Sequence, residues 1–430
     1  MSLLRTTLDN GLKVLIRESH TAPVASFWVW YRVGNRNERP GITGISHWLE
    51  HMLFKGTERW PEGAADQAVS RVGGVYNGMT WYDFTTYYET LPVEKMSLAL
   101  DIESDRMHNA HFSAEETESE RTVIISERQG HENHPLFLLQ EEVSSAAYQI
   151  HPYRYETVGL MCDLETMTHE DLAHHYRTYY TPGNAIVAIA GDFNAGEIER
   201  ITERYFERVE SGPAVPAVTA VEPPQDEERR VVVKGAGQTQ YVTVAYHIPE
   251  ARHKDFFALT VLNAVLAGGS GFLVGGGLTN HTSRLYRALV EKEYAVDIHG
   301  NLMSTVDPGL YQLTATVWPD RSIEDVENTL FAEITRVQES PVAQEELEKA
   351  QRQARALFAY SSESITNQAF WLGFSEIFAD YGWFMRYLDN LAAVTAEDLQ
   401  RAAQTYLQPH NRTTGWYVPN LVSSQKVGVM

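Results

Sequence analysis

The segment with the clearest chemistry is His47-Trp48-Leu49-Glu50-His51. On a helix, residues four apart share one face with Cβ atoms roughly 5–6 Å apart, so both imidazoles can reach a single ion. Neutral imidazole is a preferred zinc ligand. Glu50 lies three positions after His47 on the same face, where its carboxylate can take a proton from a zinc-activated water. An ordinary amphipathic helix with two incidental histidines has the same short pattern, so the context must decide.

A catalytic zinc needs three protein ligands and an open position. The helix predicted over residues 114–127 carries several glutamates, and two of them, Glu120 and Glu127, are seven positions apart. Seven positions are two turns, which places both carboxylates on one face. A solvated acidic face explains the earlier glutamates of this helix. It explains Glu127 less well, because residues 123–125 beside it are strongly apolar.

Residues 47–57 resemble the zinc helix, and the turn after it, of the pitrilysin or insulin-degrading-enzyme family of zinc metallopeptidases, the inverzincins, whose order is H-x-x-E-H. The resemblance covers nearly the whole chain and points to the short-chain branch that includes mitochondrial-processing-peptidase-like proteins. Residues 120–127 resemble the family's second ligand helix, and the separation between His51 and Glu127 (127 − 51 = 76) matches the family's spacing.

The resemblance implies one Zn²⁺ per chain, with the ligands His47, His51 and Glu127. It implies that Glu50 is the general base of catalysis. By the same resemblance, Glu120 is an outer carboxylate that supports the metal site without binding the ion.

Three further segments are candidates for holding a peptide substrate. Residues 73–80 read as a glycine-led edge strand, to which an extended peptide can add, and the resemblance implies that the Asn77 amide bonds the substrate backbone. A buried turn asparagine is the alternative. In the second half, Arg287 and Tyr294 match a family pair that assists the active site, although a shared helix face with a structural salt bridge would explain them too. The glycine-rich residues 268–277 lack the lysine of a phosphate-binding loop and resemble a substrate-contacting loop of the processing peptidases.

The elements that must position these residues follow from apolar periodicity and turn signals. The pattern predicts strands at residues 12–16, 24–31, 75–80 and 83–90, and helices at residues 46–54, 64–72, 95–108 and 114–127.

A proline-rich linker and an internal repeat divide the chain. We predict a zinc-binding catalytic domain at residues 1–211, a linker at residues 212–228 and a second homologous domain at residues 229–430. The repeat is clearest where Thr168 and Thr395 each begin the pattern of a capped helix, a proline turn and a strand, 227 positions apart (395 − 168). Such a spacing predicts duplication of an α+β unit.

Composition excludes several function classes. The formal net charge of −22 argues against a nucleic-acid partner and reflects solubility or a preference for cationic ligands. One cysteine, Cys162, permits no internal disulfide. No stretch is long and apolar enough to span a membrane, and the N-terminus lacks a secretory signal, so we expect a cytoplasmic protein, although a chain trimmed of its leader would look the same. We expect other histidines, such as His131, His134, His174 and His175, to lie at the surface.

The resulting expectation is an α+β fold of two homologous domains, each a mixed or antiparallel sheet packed with helices on one side. The resemblance implies that the two domains form half of a clamshell and that the chain dimerises, with itself or with a paralogous subunit, to enclose peptide substrates. The expected function is that of a zinc-dependent endopeptidase. The alternatives are a leader-sequence processing peptidase and a non-catalytic structural or partner subunit of the same fold.

Overall fold

The computed structural model describes residues 3–269 and 281–420. The first half of the chain has the strands β1 (Leu3–Thr7), β2 (Lys13–Glu18), β3 (Val24–Tyr31), β4 (Val75–Thr80), β5 (Thr85–Pro92) and β6 (Ala185–Gly191). Its helices are α1 (Ile45–Phe54), α2 (Ala64–Arg71), α3 (Met96–Asn109), α4 (Ala114–Glu132), α5 (Pro135–Ala147), α6 (Met161–Thr166), α7 (His169–Tyr179) and α8 (Ala195–Phe206).

The second half repeats this mixture of strands and helices. Its strands are β7 (Arg229–Gly235), β8 (Tyr241–Ile248), β9 (Ala295–Leu302), β10 (Gly309–Val317) and β11 (Arg412–Pro419). Its helices are α9 (Phe256–Leu266), α10 (Ile323–Glu339), α11 (Gln344–Ser361), α12 (Ile365–Phe378), α13 (Tyr381–Ala393) and α14 (Ala396–Tyr406). Among the described residues, no helix combines the length and the apolar character needed to cross a bilayer.

The strands and helices predicted around the candidate site are present, and their ends agree with the predicted bounds or differ from them by one to five residues. The strand predicted from residue 83 begins at Thr85, because the Asp83 carboxylate accepts hydrogen bonds from Tyr153 Oη and from the backbone N–H of Val306. Helix α4 continues past Glu127 for more than a turn. Neither change moves a candidate site residue off its predicted element.

The two sheets share one topology. The first sheet has the order β1-β2-β6-β3-β5-β4, with β2 and β6 parallel and the other neighbours antiparallel. The second sheet has the order β7-β11-β8-β10-β9, with β7 and β11 parallel and the rest antiparallel. Each strand of the second sheet therefore has a counterpart in the first, which adds only the edge strand β1. The predicted α+β class with two homologous units is confirmed.

The repeat extends to the turn that follows each capped helix. Asn184 Nδ2 donates to the Tyr179 carbonyl at 2.9 Å, and Asn411 Nδ2 donates to the Tyr406 carbonyl at 2.7 Å. Each asparagine thus closes the last turn of its helix, α7 or α14, and directs the chain into the central strand that follows. The two asparagines lie 227 positions apart (411 − 184), which is the spacing that the sequence repeat predicts.

Helices cross between the two halves and bury both faces of each sheet. Helix α12 of the second half packs on β3 and β6, and helix α5 of the first half packs on β7, β8 and β11. On β3, Phe27 and Val29 face the core under α1, whereas Trp28 and Trp30 face the core that contains α12. The prediction that helices cover one side of each sheet is therefore wrong, because the covering helix comes from the distant half and leaves no local sequence pattern.

The predicted linker has no regular secondary structure, and a hydrogen-bonded glutamate holds it in place. Residues 210–228 contain no helix or strand. The Glu222 carboxylate accepts hydrogen bonds from the backbone N–H groups of Gln149, Ile150 and His151 at 2.6–3.0 Å. The division into domains at residues 1–211 and 229–430 stays a prediction. Because α5 packs on the second sheet and α12 on the first, each sheet is covered in part by a helix of the other half.

Because α12 packs on the first sheet, we expect that a methyl group added to α12 at this contact destabilises the protein. A Cβ at Gly373 would lie 2.1 Å from Trp30 Nε1 on β3, so Gly373→Ala should lower the free energy of unfolding by about 2 kcal/mol through overpacking. Gly130→Ala in the exposed part of α4 meets no atom within 4 Å and should raise the free energy of unfolding by up to about 1 kcal/mol. Urea denaturation of both variants tests this, and equal effects would contradict the packing of α12 on β3.

Candidate metal centre

Helix α1 is held so that one face is buried and the other carries the candidate metal ligands His47 and His51. Trp48 and Leu49 are fully buried against the first sheet. The N-terminus of α1 is bonded to a buried carboxylate, because Glu38 accepts hydrogen bonds from the backbone N–H groups of Gly44 and Ser46 at 2.7 and 2.9 Å. A carboxylate at this end is also favoured by the helix dipole. Because α1 is anchored by its buried face and by its N-terminus, the side chains on its opposite face have a fixed position.

Helix α4 brings the third side chain to the same place. It begins with a capping box in which Ser113 and Glu116 bond each other's backbone N–H groups, and fully buried Ile124 packs it into the core. Helix α4 lies against α1. Two carboxylates of α4, those of Glu120 and Glu127, are on the face that meets α1, as their spacing predicts.

The predicted ligands converge. Glu127 Oε2 lies 3.7 Å from His47 Nε2 and 3.6 Å from His51 Nε2. The three residues offer ligand atoms that all lie within 4.8 Å of one another, and the described residues hold no other such group of three. Two ligands at zinc distances of roughly 2.0–2.2 Å lie about 3–4 Å apart, so this set suits the ion. Two imidazoles and one carboxylate are also a donor set that catalytic zinc sites use.

Electrostatics keep the imidazole of His47 available as a ligand. Burial, together with the neighbouring His51 and His131 rings, lowers the pKa of His47 to about 3. His47 is therefore neutral at physiological pH and keeps a nitrogen lone pair for a cation. Metal binding at this residue does not have to displace a proton.

Glu120 lies behind His51 and contacts its ring, and its role as an outer carboxylate of a metal site stays a prediction. Its Oε1 lies 2.9 Å from His51 Nδ1, and its Oε2 lies 2.9 Å from Lys55 Nζ. The hydrogen bond with His51, and the nearby Lys55, outweigh burial and lower the pKa of Glu120 to about 2. A charged carboxylate on Nδ1 fixes the tautomer that presents Nε2 to the ion. Lys55 is a residue that the sequence reasoning missed, although its place one turn after His51 is a usable signal.

Glu50 lies beside the three ligands without being one of them. Its side chain is buried, and its Oε2 accepts a hydrogen bond from Thr80 Oγ1 at 2.7 Å. Burial raises the pKa of Glu50, and the hydrogen bond from Thr80 opposes that rise. A carboxylate with a raised pKa next to a metal site is suited to accept and return a proton.

Strand β4 forms an open edge of the first sheet next to this centre. It pairs with β5 alone, and α1 packs against it. Asn77 is exposed in the middle of β4, so the alternative of a buried turn asparagine is wrong. Asn77 Oδ1 accepts a hydrogen bond from the backbone N–H of Gly78 at 2.9 Å, and the amide nitrogen donates to none of the residues that the structure describes. This amide is available to an added strand.

Arg287 and Tyr294 do not join the centre within the chain. Arg287 lies on a π-helical turn, Tyr286–Val290, whereas Tyr294 immediately precedes β9. The prediction that they share a helix face is wrong, because the helical turn ends before Tyr294. In the described part of the chain, neither side chain makes a hydrogen bond or ion pair with the ligands or Glu50. Most of the glycine-rich segment, residues 270–277, lies outside the described residues.

Two other histidines differ from the expectation of a surface position. His175 is buried, with Nε2 3.2 Å from Ser46 Oγ of helix α1, and burial lowers its pKa to about 3. The prediction for His175 is wrong, because its face of α7 packs against α1. His131 is partly exposed, and its Nε2 lies 3.9 Å from Glu127 Oε1. His134 and His174 are exposed, as expected.

Two family models match the chain, one in each half. Residues 13–160 match the model described as Insulinase (Peptidase family M16). Residues 166–354 match the model described as Peptidase M16 inactive domain. The first match contains His47, His51 and Glu127, and the second contains none of them.

The chain also resembles named zinc proteases along most of its length. The zinc protease PqqE of Helicobacter pylori is 29% identical over 425 residues, which are 96% of this chain and 92% of that protein. The probable mitochondrial-processing peptidase subunit beta of Arabidopsis thaliana is 28% identical over 336 residues, which are 77% of this chain and 62% of that protein.

A solved structure agrees with the fold as a whole. The crystal structure of a protease from Helicobacter pylori superposes with a TM-score of 0.92 at 29% sequence identity, covering 97% of this chain and 99% of that chain. The shared fold, the two adjacent family matches and the converging residues of α1 and α4 lead to one conclusion. This chain belongs to the insulinase family of peptidases, family M16.

Proposed function

We propose that the protein is a zinc-dependent endopeptidase that cleaves peptides or unfolded segments. The observation that carries this proposal is the convergence of His47, His51 and Glu127, with the buried carboxylate of Glu50 beside them. The relatives named zinc proteases support zinc as the metal. A non-catalytic partner subunit would not need to keep a proton acceptor next to an intact set of ligands.

The protein groups divide the work of hydrolysis. Zinc, when bound, acts as a Lewis acid that lowers the pKa of a water and polarises the scissile carbonyl. Glu50 takes a proton from the attacking water as the new C–O bond forms. The same carboxylate returns that proton to the amine nitrogen as the C–N bond breaks. Glu120 holds His51 in the orientation that this chemistry needs.

Strand β4 is the proposed binding surface for the substrate backbone. An extended peptide added to this open edge would form main-chain hydrogen bonds that do not depend on its side chains. The Asn77 amide would donate to the peptide from within the strand. Such binding suits peptides and unfolded segments, because a folded protein rarely presents a free strand of this kind.

We also propose that the active unit is a dimer in which two half-clamshells enclose the substrate. Arg287 is exposed and makes no ion pair in the described part of the chain, and it lines a groove with Arg284 and Lys349. Placed opposite a partner's zinc centre, Arg287 and Tyr294 could donate to the oxyanion that develops on the scissile carbonyl. A homodimer is self-sufficient, because one chain carries both sets of residues.

Replacement of the proton acceptor should separate catalysis from metal binding. Glu50→Gln keeps the size of the side chain and can still accept from Thr80, but it cannot take a proton. The cleavage rate of a quenched fluorescent peptide should fall by about 10²–10⁴-fold. Zinc content, measured by mass spectrometry of the metal, should stay at the wild-type level. Activity that survives with zinc bound would contradict the role of Glu50.

Replacement of a proposed zinc ligand should lower zinc affinity more than replacement of the carboxylate that supports a ligand. Glu127→Ala should abolish stable zinc binding, whereas Glu120→Gln should weaken zinc affinity by about 10–100-fold, because only the support of His51 is lost. Competition with a chelator measures both affinities. Glu118→Gln on the exposed face of α4 is the control, and it should bind zinc as the wild type does. Unchanged affinity in Glu127→Ala would contradict the assignment of ligands.

A mixture of two inactive variants tests whether the partner contributes Arg287. In a mixed dimer of Glu50→Gln and Arg287→Ala, one of the two sites combines an intact Glu50 with an intact Arg287 from the other chain. If half of the dimers are mixed, activity should recover to about a quarter of the wild-type value. Each variant alone should stay inactive. A mixture no more active than its components would show that Arg287 does not act across a dimer.

A further inference from the structure

We propose that Thr80 is a positioning residue that holds the Glu50 carboxylate in the orientation required for proton transfer. The inference rests on the proposed peptidase function and concerns how its general base is aimed. Thr80 is the last residue of β4, and its side chain is buried. Its Oγ1 lies 2.7 Å from Glu50 Oε2, which links the substrate-binding edge strand directly to the metal helix α1.

The direction of this hydrogen bond follows from the neighbouring hydroxyl. Thr80 Oγ1 has one proton and two possible acceptors, Glu50 Oε2 at 2.7 Å and Thr85 Oγ1 at 3.4 Å. Thr85 donates its own proton to the Val33 carbonyl at 2.9 Å. The shorter, charge-assisted bond takes the Thr80 proton, so Glu50 Oε2 is an occupied acceptor. Glu50 Oε1 makes no hydrogen bond to a described residue, so we assign it as the oxygen that receives the proton of the attacking water.

Thr80 can hold Glu50 firmly because its own position is fixed. A β-branched side chain has few accessible rotamers, and Thr80 pairs with Thr85 at the end of the β4–β5 hairpin. The hairpin turn closes with a hydrogen bond from the Trp81 N–H to the Phe84 carbonyl at 2.8 Å. The hydroxyl is therefore carried by a rigid strand end.

The second half of the chain secures this turn. The Asp83 carboxylate, in the turn between β4 and β5, accepts hydrogen bonds from the Val306 N–H at 3.0 Å and from Tyr153 Oη. Arg36, whose backbone N–H donates to the Tyr82 carbonyl of this turn at 2.9 Å, pairs with Asp307, the next residue of the second half, at 2.5 Å. These contacts join the turn before β10 to the turn after β4. The half of the chain without zinc ligands thus helps to orient the general base of its own molecule.

The test compares three threonine variants of the full-length protein. Thr80→Val removes the hydroxyl with little change of volume, and we expect kcat to fall about 10-fold or more, with KM and zinc content within about 2-fold of wild type. Thr80→Ser keeps the hydroxyl and should recover most of kcat. Thr86→Val is the matched control on β5, because it removes a buried hydroxyl that donates to the Val29 carbonyl at 2.7 Å and does not contact Glu50.

The outcomes distinguish this inference from the proposed function. A low kcat in Thr80→Val, recovery in Thr80→Ser and a wild-type kcat in Thr86→Val support the positioning role. If the wild type is active, two results overturn the positioning role alone. One is a wild-type kcat in Thr80→Val, and the other is an equal loss of kcat in Thr80→Val and Thr86→Val. A wild type that binds zinc but cleaves no peptide overturns the proposed function, and the positioning role with it.

Discussion

The contact between helices α1 and α4 is the constraint on which the rest of the site depends. Each helix supplies an incomplete set of ligands, two imidazoles from one and a carboxylate from the other. The ligands meet because apolar side chains lock each helix on its buried face, Trp48 and Leu49 on α1 and Ile124 on α4. The packing energy of the core therefore holds the donors together before any ion binds, which reduces the cost of ordering them.

The charged groups around this contact lie in two different environments. Glu120 and Lys55 lie behind His51 and fix its ring, whereas Glu50 lies at the side with a pKa raised by burial. Two carboxylates near one centre thus have opposite character: a lysine and a histidine hold Glu120 charged, whereas burial makes Glu50 more basic. Under the proposed mechanism, this difference separates structural support by Glu120 from proton transfer by Glu50.

The two related halves depend on each other for the packing of their sheets. Helix α5 of the first half packs on the second sheet, and helix α12 of the second half packs on the first sheet, so each sheet is covered in part by the opposite half. The turn contacts of Asp83 with Val306 add a polar connection close to the site. The second half, which matches a family model described as inactive, thus supplies packing surface for the half that carries the candidate ligands.

The sequence by itself determined most of the elements around the candidate site and the His47–His51 pair, because helix periodicity and a four-residue spacing are local, and its resemblance to a known family implied Glu127 as the third ligand. It also predicted the duplication from a repeat without gaps. Tertiary structure alone decided which helix covers which sheet, that His175 is buried, and that Arg287 and Tyr294 do not share a helix. It also brought Thr80 to Glu50. Such contacts join residues far apart in the chain, and their energy depends on packing geometry that no single segment encodes.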